Sequence, residues 1–158
     1  MFSKTKTENL KLEEGKYSVI VNGVVVKDGK ILLAQRSFKE KHDGGCWSPP
    51  GGKIEETGPC WHILEKTVKK EVFEETGVEI EDKIHLLTNN TFSREEDNFS
   101  TISIVFLCKY KVGKARPLED TIAVKWISED EIDNFEFTHA NVKNYIVKAF
   151  KFLKNHQW

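Results

Sequence analysis

The chain has 158 residues, of which 39% are hydrophobic and 31% are charged, and its formal net charge is −1 at pH 7. These values predict one globular domain over residues 1–158, with residues 1–16 as a frayed polar leader. They exclude bulk nucleic acid and membrane as expected partners, because the chain has neither a strong basic excess nor an apolar run of about 20 residues.

The first third of the chain predicts a β-hairpin followed by a loop. Residues 17–26 are rich in Val and Ile and predict a strand, and residues 31–34 predict the returning strand. Asp28-Gly29 between them is a typical hairpin turn. Residues 37–45 are polar and end in glycine, which predicts a mobile loop. Residues 47–54 predict a short extended segment interrupted by Pro-Pro-Gly-Gly.

The next segment predicts a helix with recognisable ends. Thr57 or Gly58 suits the N-cap and Pro59 suits the first turn. Gly77 is typical of the position just past a helix end. Four apolar residues recur at helical spacing and predict the buried stripe: Trp61, Leu64, Val68 and Val72.

Three glutamates share one face of this predicted helix. Glu71, Glu74 and Glu75 stand at i, i+3 and i+4, so their carboxylates cluster within about a turn and a half. Clustered carboxylates repel one another unless a cation neutralises them, and Mg²⁺ commonly lies between carboxylates and substrate phosphates. Their face lies beside the apolar stripe, which predicts that they point into a crevice between helix and sheet.

The second half of the chain predicts three strands and two helices. The strands are expected at residues 83–87, 100–110 and 123–127. Ser128-Glu129-Asp130-Glu131 is a capping box that opens a short helix, and residues 140–154 carry the apolar face of a final helix. Strands before, between and after helices predict an α/β (α+β) fold with a mixed central sheet between helices.

Two motifs together resemble the Nudix hydrolase family. They are Trp-Ser-Pro-Pro-Gly-Gly-Lys-Ile-Glu at residues 47–55 and Lys-Glu-Val-Phe-Glu-Glu-Thr-Gly-Val at residues 70–78. Residues 32–36 and 125–132 also look like that family, so the resemblance covers about residues 17–135. It implies a Nudix-like α/β/α sandwich with a mixed central sheet.

The chain departs from the family's motif at two connected positions. His62 stands where the family has its first glutamate, and Lys70 replaces the usual arginine. The stretch between Gly52 and the helix is also about four residues longer. In the family this glutamate and arginine brace the metal-binding glutamates. Here Lys70 is expected to pair with Glu55 or Glu56, or with Glu74, and we interpret His62 as a solvated helix residue.

The resemblance implies chemistry assisted by Mg²⁺ or Mn²⁺. The implied metal ligands are the carboxylates of Glu71, Glu74 and Glu75 and the backbone carbonyl of Gly51. The metal neutralises a diphosphate and activates a water for attack on phosphorus. Either Glu74 or Glu75 is the expected general base, or an acidic residue before Trp126. The acidic candidates there are Glu119 and Asp120.

The implied substrate is a small nucleotide, namely a nucleoside diphosphate linked to another group. Arg36, Lys53 and Asn141 are the expected substrate contacts. The ADP-ribose-cleaving branch carries a proline about fifteen residues past the motif, and residues 89–93 contain none. We therefore expect a nucleoside triphosphate or modified nucleotide. The alternative interpretation of Asn141 is that it only caps the final helix.

Three other functions stay open at this point. The chain could be a non-catalytic Nudix-like module that senses a nucleotide, although such a module does not need all three glutamates. It could be a diphosphate isomerase of the same fold, although Cys46 lies outside that motif and the extra histidine ligands are missing. It could also be an interaction domain with a purely structural acidic helix. Homodimerisation is compatible with each of these.

The cysteines and the N-terminal segment indicate the compartment. Three cysteines without a Cys-x-x-Cys pair favour a reducing environment over a disulfide framework or a zinc site. Residues 1–14 lack the apolar core of a signal peptide. We therefore expect a cytoplasmic protein.

Overall fold

A computed structural model describes residues 15–55 and 58–158 of the chain. The predicted leader, residues 1–16, lies almost entirely outside this part, and so does Thr57. The described strands are β1 (Tyr17–Lys27), β2 (Lys30–Arg36), β3 (Trp47–Ser48), β4 (Gly51–Lys53), β5 (Glu79–Phe92), β6 (Ser100–Val112) and β7 (Thr121–Ile127). The helices are α1 (Ile63–Thr76), a 3-10 helix (Glu129–Asn134) and α2 (Ala140–Asn155).

The strands form one mixed sheet in the order β3-β2-β1-β6-β5, with β4 paired to β1 and β7 paired to β2. Strands β1 and β6 run parallel at its centre, and the other pairs are antiparallel. The central pair is in register from Tyr17 opposite Ser100 to Val26 opposite Lys109. This parallel pair forms the floor beside which the site lies.

Two apolar cores cover the two faces of the sheet, as the alternation of side chains along a strand requires. On one face Val24, Ile31 and Leu33 pack with buried residues of α2. On the other face Val21, Val25, Leu32 and residues of α1 form the second core. The predicted α/β/α sandwich with a mixed central sheet is therefore confirmed.

Helix α1 begins later than the sequence predicted. His62 is its N-cap and has a left-handed backbone conformation (φ 58°, ψ 38°), so the helix starts at Ile63. A residue with positive φ interrupts a right-handed helix, which is why Gly58 and Pro59 lie outside it. The predicted buried stripe is consequently wrong at Trp61, whose side chain is 84% exposed.

The predicted turns and the later elements are mostly confirmed. Asp28 and Gly29 both have positive φ and connect β1 to β2, and Gly77 ends α1 in the left-handed conformation. The capping box at Ser128 is present, and it opens a 3-10 helix. Strand β5 is much longer than the predicted residues 83–87, because irregular pairing with β6 breaks the alternation that the sequence would otherwise show.

No helix in residues 15–55 and 58–158 combines the length and apolar character that crossing a membrane requires. The cysteines in this part of the chain are free thiols: Cys46 is half-buried, Cys60 is exposed and Cys108 is buried.

Helix α1 approaches β1 closely at Gly23. A Cβ atom at this position would lie 2.9 Å from Val72 Cγ2 and 3.0 Å from Val68 Cγ2. Both valines are fully buried, and a β-branched side chain has little rotamer freedom to move aside. A glycine here therefore sets the depth at which the helix lies on the sheet.

We expect Gly23→Ala to destabilise the protein by about 1–3 kcal/mol, because the added methyl overpacks a closed core. Chemical unfolding of the two proteins measures the difference. Val72→Ala removes the contacted methyl, so adding Gly23→Ala to it should cost less than the same change in the wild type. Equal costs in both backgrounds would mean that the contact does not limit the helix position.

Candidate active site

A cleft of about 790 Å³ opens over one end of the sheet, between the strands β1 and β6 and the loops around them. It gathers most of the residues that the sequence singled out: Arg36, Gly51, Lys53, Glu71, Glu75, Glu119, Asp120 and Asn141. Glu74 is the predicted site residue that does not line it. Segments far apart in sequence therefore meet at one polar cavity.

Two glycines let the backbone of β4 lie against the acidic face of α1. A Cβ atom at Gly52 would lie 2.5 Å from Cδ of Glu71, and one at Gly51 would lie 2.1 Å from the carbonyl oxygen of Val21. A larger residue at Gly51 would force β4 away from the backbone of β1, and one at Gly52 would displace the Glu71 carboxylate. The Gly-Gly pair thus brings a backbone segment into contact with the Glu71 carboxylate.

Glu75 lies deeper than the other two glutamates of the cluster. The Gly51 N–H donates a 3.3 Å hydrogen bond to its Oε2 atom. Burial raises the pKa of the Glu75 carboxyl to about 8, and repulsion from Glu71 contributes to the rise. The Gly51 bond and the positive charge of Arg36 oppose it only in part. The carboxylate is therefore short of positive charge.

The pKa of the Glu71 carboxyl is also raised. Burial is the main cause that raises the pKa of its carboxyl, followed by the negative charge of Glu74. Lys70 lowers it, and Glu119 raises it further. A cation beside these two glutamates would stabilise their charged form, so the pair favours cation binding.

Lys70 is paired with glutamates on both sides, as predicted. Its Nζ atom lies 3.4 Å from Glu55 Oε2 and 4.0 Å from Glu74 Oε1. These carboxylates raise the pKa of the lysine, with Glu55 the larger cause. The ion pair with Glu55 links the chain just after β4 to α1. Glu56, the other predicted partner, lies outside the described residues.

His62 is exposed, in agreement with the interpretation of it as a solvated residue, but it precedes the helix instead of lying within it. Its backbone carbonyl accepts a 3.0 Å hydrogen bond from the Lys66 N–H, and its side chain makes no cap bond. It therefore shapes the start of α1 through its backbone.

The loop before β7 brings two acidic residues to the cleft. Glu119 has a left-handed backbone (φ 51°) and lies close enough to raise the pKa of both Glu71 and Glu75. The Asp120 carbonyl accepts a 2.9 Å hydrogen bond from the Ser37 N–H, which fixes this loop beside the end of β2. Glu119 is thus the acidic residue of this loop whose negative charge contributes to the raised pKa of both helix glutamates.

Asn141 does not cap the final helix. The N-cap of α2 is His139, whose Nδ1 atom accepts a 3.2 Å hydrogen bond from the Asn141 N–H. The alternative interpretation of Asn141 as a capping residue is therefore wrong. Asn141 lies in the first turn of α2 and lines the cleft.

Arg94 also lines the cleft. The sequence indicated that its loop, residues 92–99, either covers the substrate or only connects strands, and Arg94 was not among the expected substrate contacts. Its Nη2 atom donates a 3.2 Å hydrogen bond to Asp43 Oδ2, and its guanidinium lies 5.4 Å from the centre of the Phe92 ring. The available cue was one arginine in the otherwise acidic loop at residues 94–97. That cue does not say which way the loop folds.

Comparison with known proteins now identifies this architecture. A family model described as NUDIX domain matches residues 16–150. The chain belongs to the Nudix family. As a member it is a Nudix-type pyrophosphohydrolase, and the recognition from the two sequence motifs is confirmed.

Individual relatives agree with the family model. The chain is 35% identical over 118 residues to a MutT-like protein of Streptomyces ambofaciens, covering 73% of this chain and 67% of the relative. It is 30% identical over 131 residues to an ADP-ribose pyrophosphatase of Methanocaldococcus jannaschii, covering 82% and 73%. The structure of a MutT protein from Methanosarcina mazei Go1 superposes with a TM-score of 0.71 at 26% identity, covering 92% and 99%.

The residues of this Nudix site fit a hard divalent cation. Carboxylates and backbone carbonyls are the donors that Mg²⁺ and Mn²⁺ prefer. Glu71 and Glu75 present carboxylates to the cleft and lack positive charge. Within residues 15–55 and 58–158, no three acidic, histidine or cysteine side chains already converge as one ligand group. Glu74 would have to turn from Lys70 to complete the trio.

The raised pKa of Glu75 predicts an unusual pH dependence of stability. The folded pKa of about 8 lies above the ordinary value of 4.5, so the folded state holds this proton more tightly than the unfolded state does. Metal-free protein should therefore lose stability as the pH rises from about 4.5 to about 8. Melting temperatures in chelator measure this loss, and Glu75→Gln should remove that part of it.

Added Mg²⁺ should raise the melting temperature of the wild type more at pH 8 than at pH 5, because the cation competes with the protons on these carboxylates. The Glu75→Gln protein should show a smaller rise at pH 8. Equal Mg²⁺ effects in the two proteins at that pH would contradict a role for Glu75 as a ligand.

Proposed function

We propose that this protein hydrolyses a phosphoanhydride bond in a nucleoside diphosphate derivative with the help of Mg²⁺ or Mn²⁺. The observation that carries the proposal is the contact of the Gly51-Gly52 backbone with the carboxylates of Glu71 and Glu75 at the base of the cleft. Acidic groups that lack a counter-charge beside an accessible backbone suit a metal–diphosphate ligand.

Each element of the cleft has a role in this proposal. Glu71, Glu74 and Glu75 would hold the metal together with the Gly51 carbonyl. Bound metal supplies Lewis acidity for the phosphate and a water activated for attack. The glycines let the backbone of β4 lie against β1 and the Glu71 carboxylate. Arg36 and Lys53 would neutralise phosphate oxygens.

The proton from the attacking water needs an acceptor in the cleft. Glu75 and Glu74 are candidates on the helix, and Glu119 and Asp120 are candidates on the loop before β7. Among the two loop residues, the electrostatic coupling of Glu119 to Glu71 and Glu75 supports Glu119. Glu119 lies on a loop and not on the metal-binding helix, so it could accept the proton while the helix glutamates continue to bind the metal.

A nucleoside triphosphate or modified nucleotide is the first candidate substrate. Asn141 lines the cleft and is not the helix cap, so its side-chain amide is available to contact a base. ADP-ribose is the second candidate, because a relative 30% identical to the chain is an ADP-ribose pyrophosphatase. Both substrates present a diphosphate to the same set of residues.

A nucleotide panel with Mg²⁺ tests the proposed function directly. The panel should contain nucleoside triphosphates, an oxidised-base triphosphate, ADP-ribose and a nucleotide monoester without an anhydride. We expect hydrolysis of at least one anhydride, none of the monoester, and loss of activity in excess chelator. Release of no product from any anhydride, with tight nucleotide binding, would instead favour the nucleotide-sensing module. Undiminished hydrolysis in chelator would remove the metal from the mechanism.

We expect Glu75→Gln to lower kcat at least about 100-fold, because a lost electrostatic contact to developing charge is typically worth about 2.7–4 kcal/mol. The neutral side chain keeps the volume and can still accept the Gly51 hydrogen bond, so the fold should persist. Asp82→Asn is the matched control, since Asp82 is an exposed carboxylate paired with Lys69 outside the cleft. Wild-type turnover in the Glu75→Gln protein would eliminate this site assignment.

A further inference from the structure

Two arginines reach the cleft from widely separated parts of the sheet. Arg36 ends β2 and Arg94 follows β5, and the strands β1 and β6 lie between β2 and β5 in the sheet. Each arginine already holds a carboxylate: Arg36 lies 3.3 Å from Glu40 and Arg94 lies 3.2 Å from Asp43. Both carboxylates belong to one short loop, residues 37–45, which we call the strap.

The strap is closed at its base and extends across the cleft. At the base, the Arg36 N–H donates to the Cys46 carbonyl over 2.9 Å, and the Gly45 N–H donates to the Arg36 carbonyl over 3.0 Å. At its far side, Asp43 bonds Arg94. A second contact there joins His42 Nδ1 to Glu96 Oε1 over 3.0 Å. The strap therefore connects the two arginine-bearing sides. It contacts Arg94 and Glu96 through side chains, and on the other side the His42 carbonyl also accepts a 3.2 Å hydrogen bond from Arg36 Nε.

The carboxylates of the strap line the same cleft as the arginines that they hold. Glu40, Asp43, Arg36 and Arg94 are all lining residues. The four side chains are between 31% and 41% exposed, so water already reaches each ion pair. A pair of this exposure shifts an equilibrium by no more than about fivefold. Such contacts can therefore be exchanged for better ones.

A polyphosphate is a better partner for these arginines than the strap is. A guanidinium binds phosphate oxygens through paired, charge-assisted hydrogen bonds, and a phosphate carries more charge than a carboxylate. Glu40 and Asp43 would also repel a phosphate that entered while they remained in place. A ligand phosphate and the strap therefore compete for the same guanidinium groups.

We propose that Arg36 and Arg94 form one anion-binding pair for the phosphates of the substrate, and that Glu40 and Asp43 occupy this pair until the substrate replaces them. Arg94 is thereby a further substrate-binding residue, and Asp43 and Glu40 are positioning residues that act through the arginines. The identity of the ligand as a nucleotide rests on the proposed function, whereas the exchange itself requires only a polyphosphate anion.

Binding of inorganic pyrophosphate in excess chelator tests the exchange, because no turnover occurs. We expect Arg94→Gln to weaken binding and Asp43→Asn to tighten it by about threefold, as loss of an exposed ion pair implies. The decisive measurement is the double variant. In the Arg94→Gln background, Asp43→Asn should increase the affinity for pyrophosphate much less, because the arginine that Asp43 pairs with is no longer present.

Asp97→Asn is the matched control for simple charge removal. Asp97 lines the same cleft, and its side chain makes no ion pair with any residue in the described part of the chain. If Asp97→Asn increased pyrophosphate affinity as much as Asp43→Asn does, the proposal would be overturned. The proposal would also be overturned if Asp43→Asn increased the affinity by the same factor in the Arg94→Gln background as in the wild type.

The proposed function and the strap fail in different experiments. If no nucleotide is hydrolysed but the coupling between Asp43 and Arg94 is measured with pyrophosphate, only the proposed function fails. If nucleotides are hydrolysed and the coupling is absent, only the strap proposal fails. With the preferred nucleotide, Asp43→Asn should also lower KM about threefold with kcat retained, which a merely structural role of this ion pair would not produce.

Discussion

The site depends on how closely α1 lies against the sheet. Gly23 lets the helix approach β1, and Gly52 lets the backbone of β4 touch the carboxylate of Glu71. This depth buries Glu75 far enough to raise its pKa to about 8. Packing in an apolar core therefore creates the electrostatic condition for binding a cation.

Charged side chains in the rest of the cleft surround the glutamates at its bottom. On the outer side of the helix, the positive charge of Lys70 pairs with the carboxylates of Glu55 and Glu74. On the other side, the arginines of the cleft are neutralised by carboxylates of the strap. The cleft thus keeps its two arginines paired with carboxylates, whereas Glu75 is held by a backbone N–H and burial raises its pKa. The proposed metal–polyphosphate ligand would bring positive charge to the glutamates and phosphate oxygens to the arginines.

The departures from the family motif are explained by where α1 begins. The longer connection after β4 and the left-handed His62 delay the helix to Ile63, and no glutamate occupies the usual bracing position. Lys70 instead meets Glu55, which the sequence had named as one of three possible partners. The sequence showed that the glutamate which usually pairs with the arginine is missing. It did not select the partner, because that depends on the path of a loop.

The sequence by itself determined the positions of the strands, although not the length of β5. It also determined the hairpin turn, the end of α1 and the glutamate cluster, because hydrophobic periodicity, glycine positions and helical spacing are local properties. Only the tertiary structure decided that Trp61 is exposed, that Asn141 is not a cap, and that Arg94 faces the cleft. Each of these depends on how a loop or helix end is oriented by residues distant in sequence. Such contacts leave no periodic pattern along the chain, so they become visible only in the folded molecule.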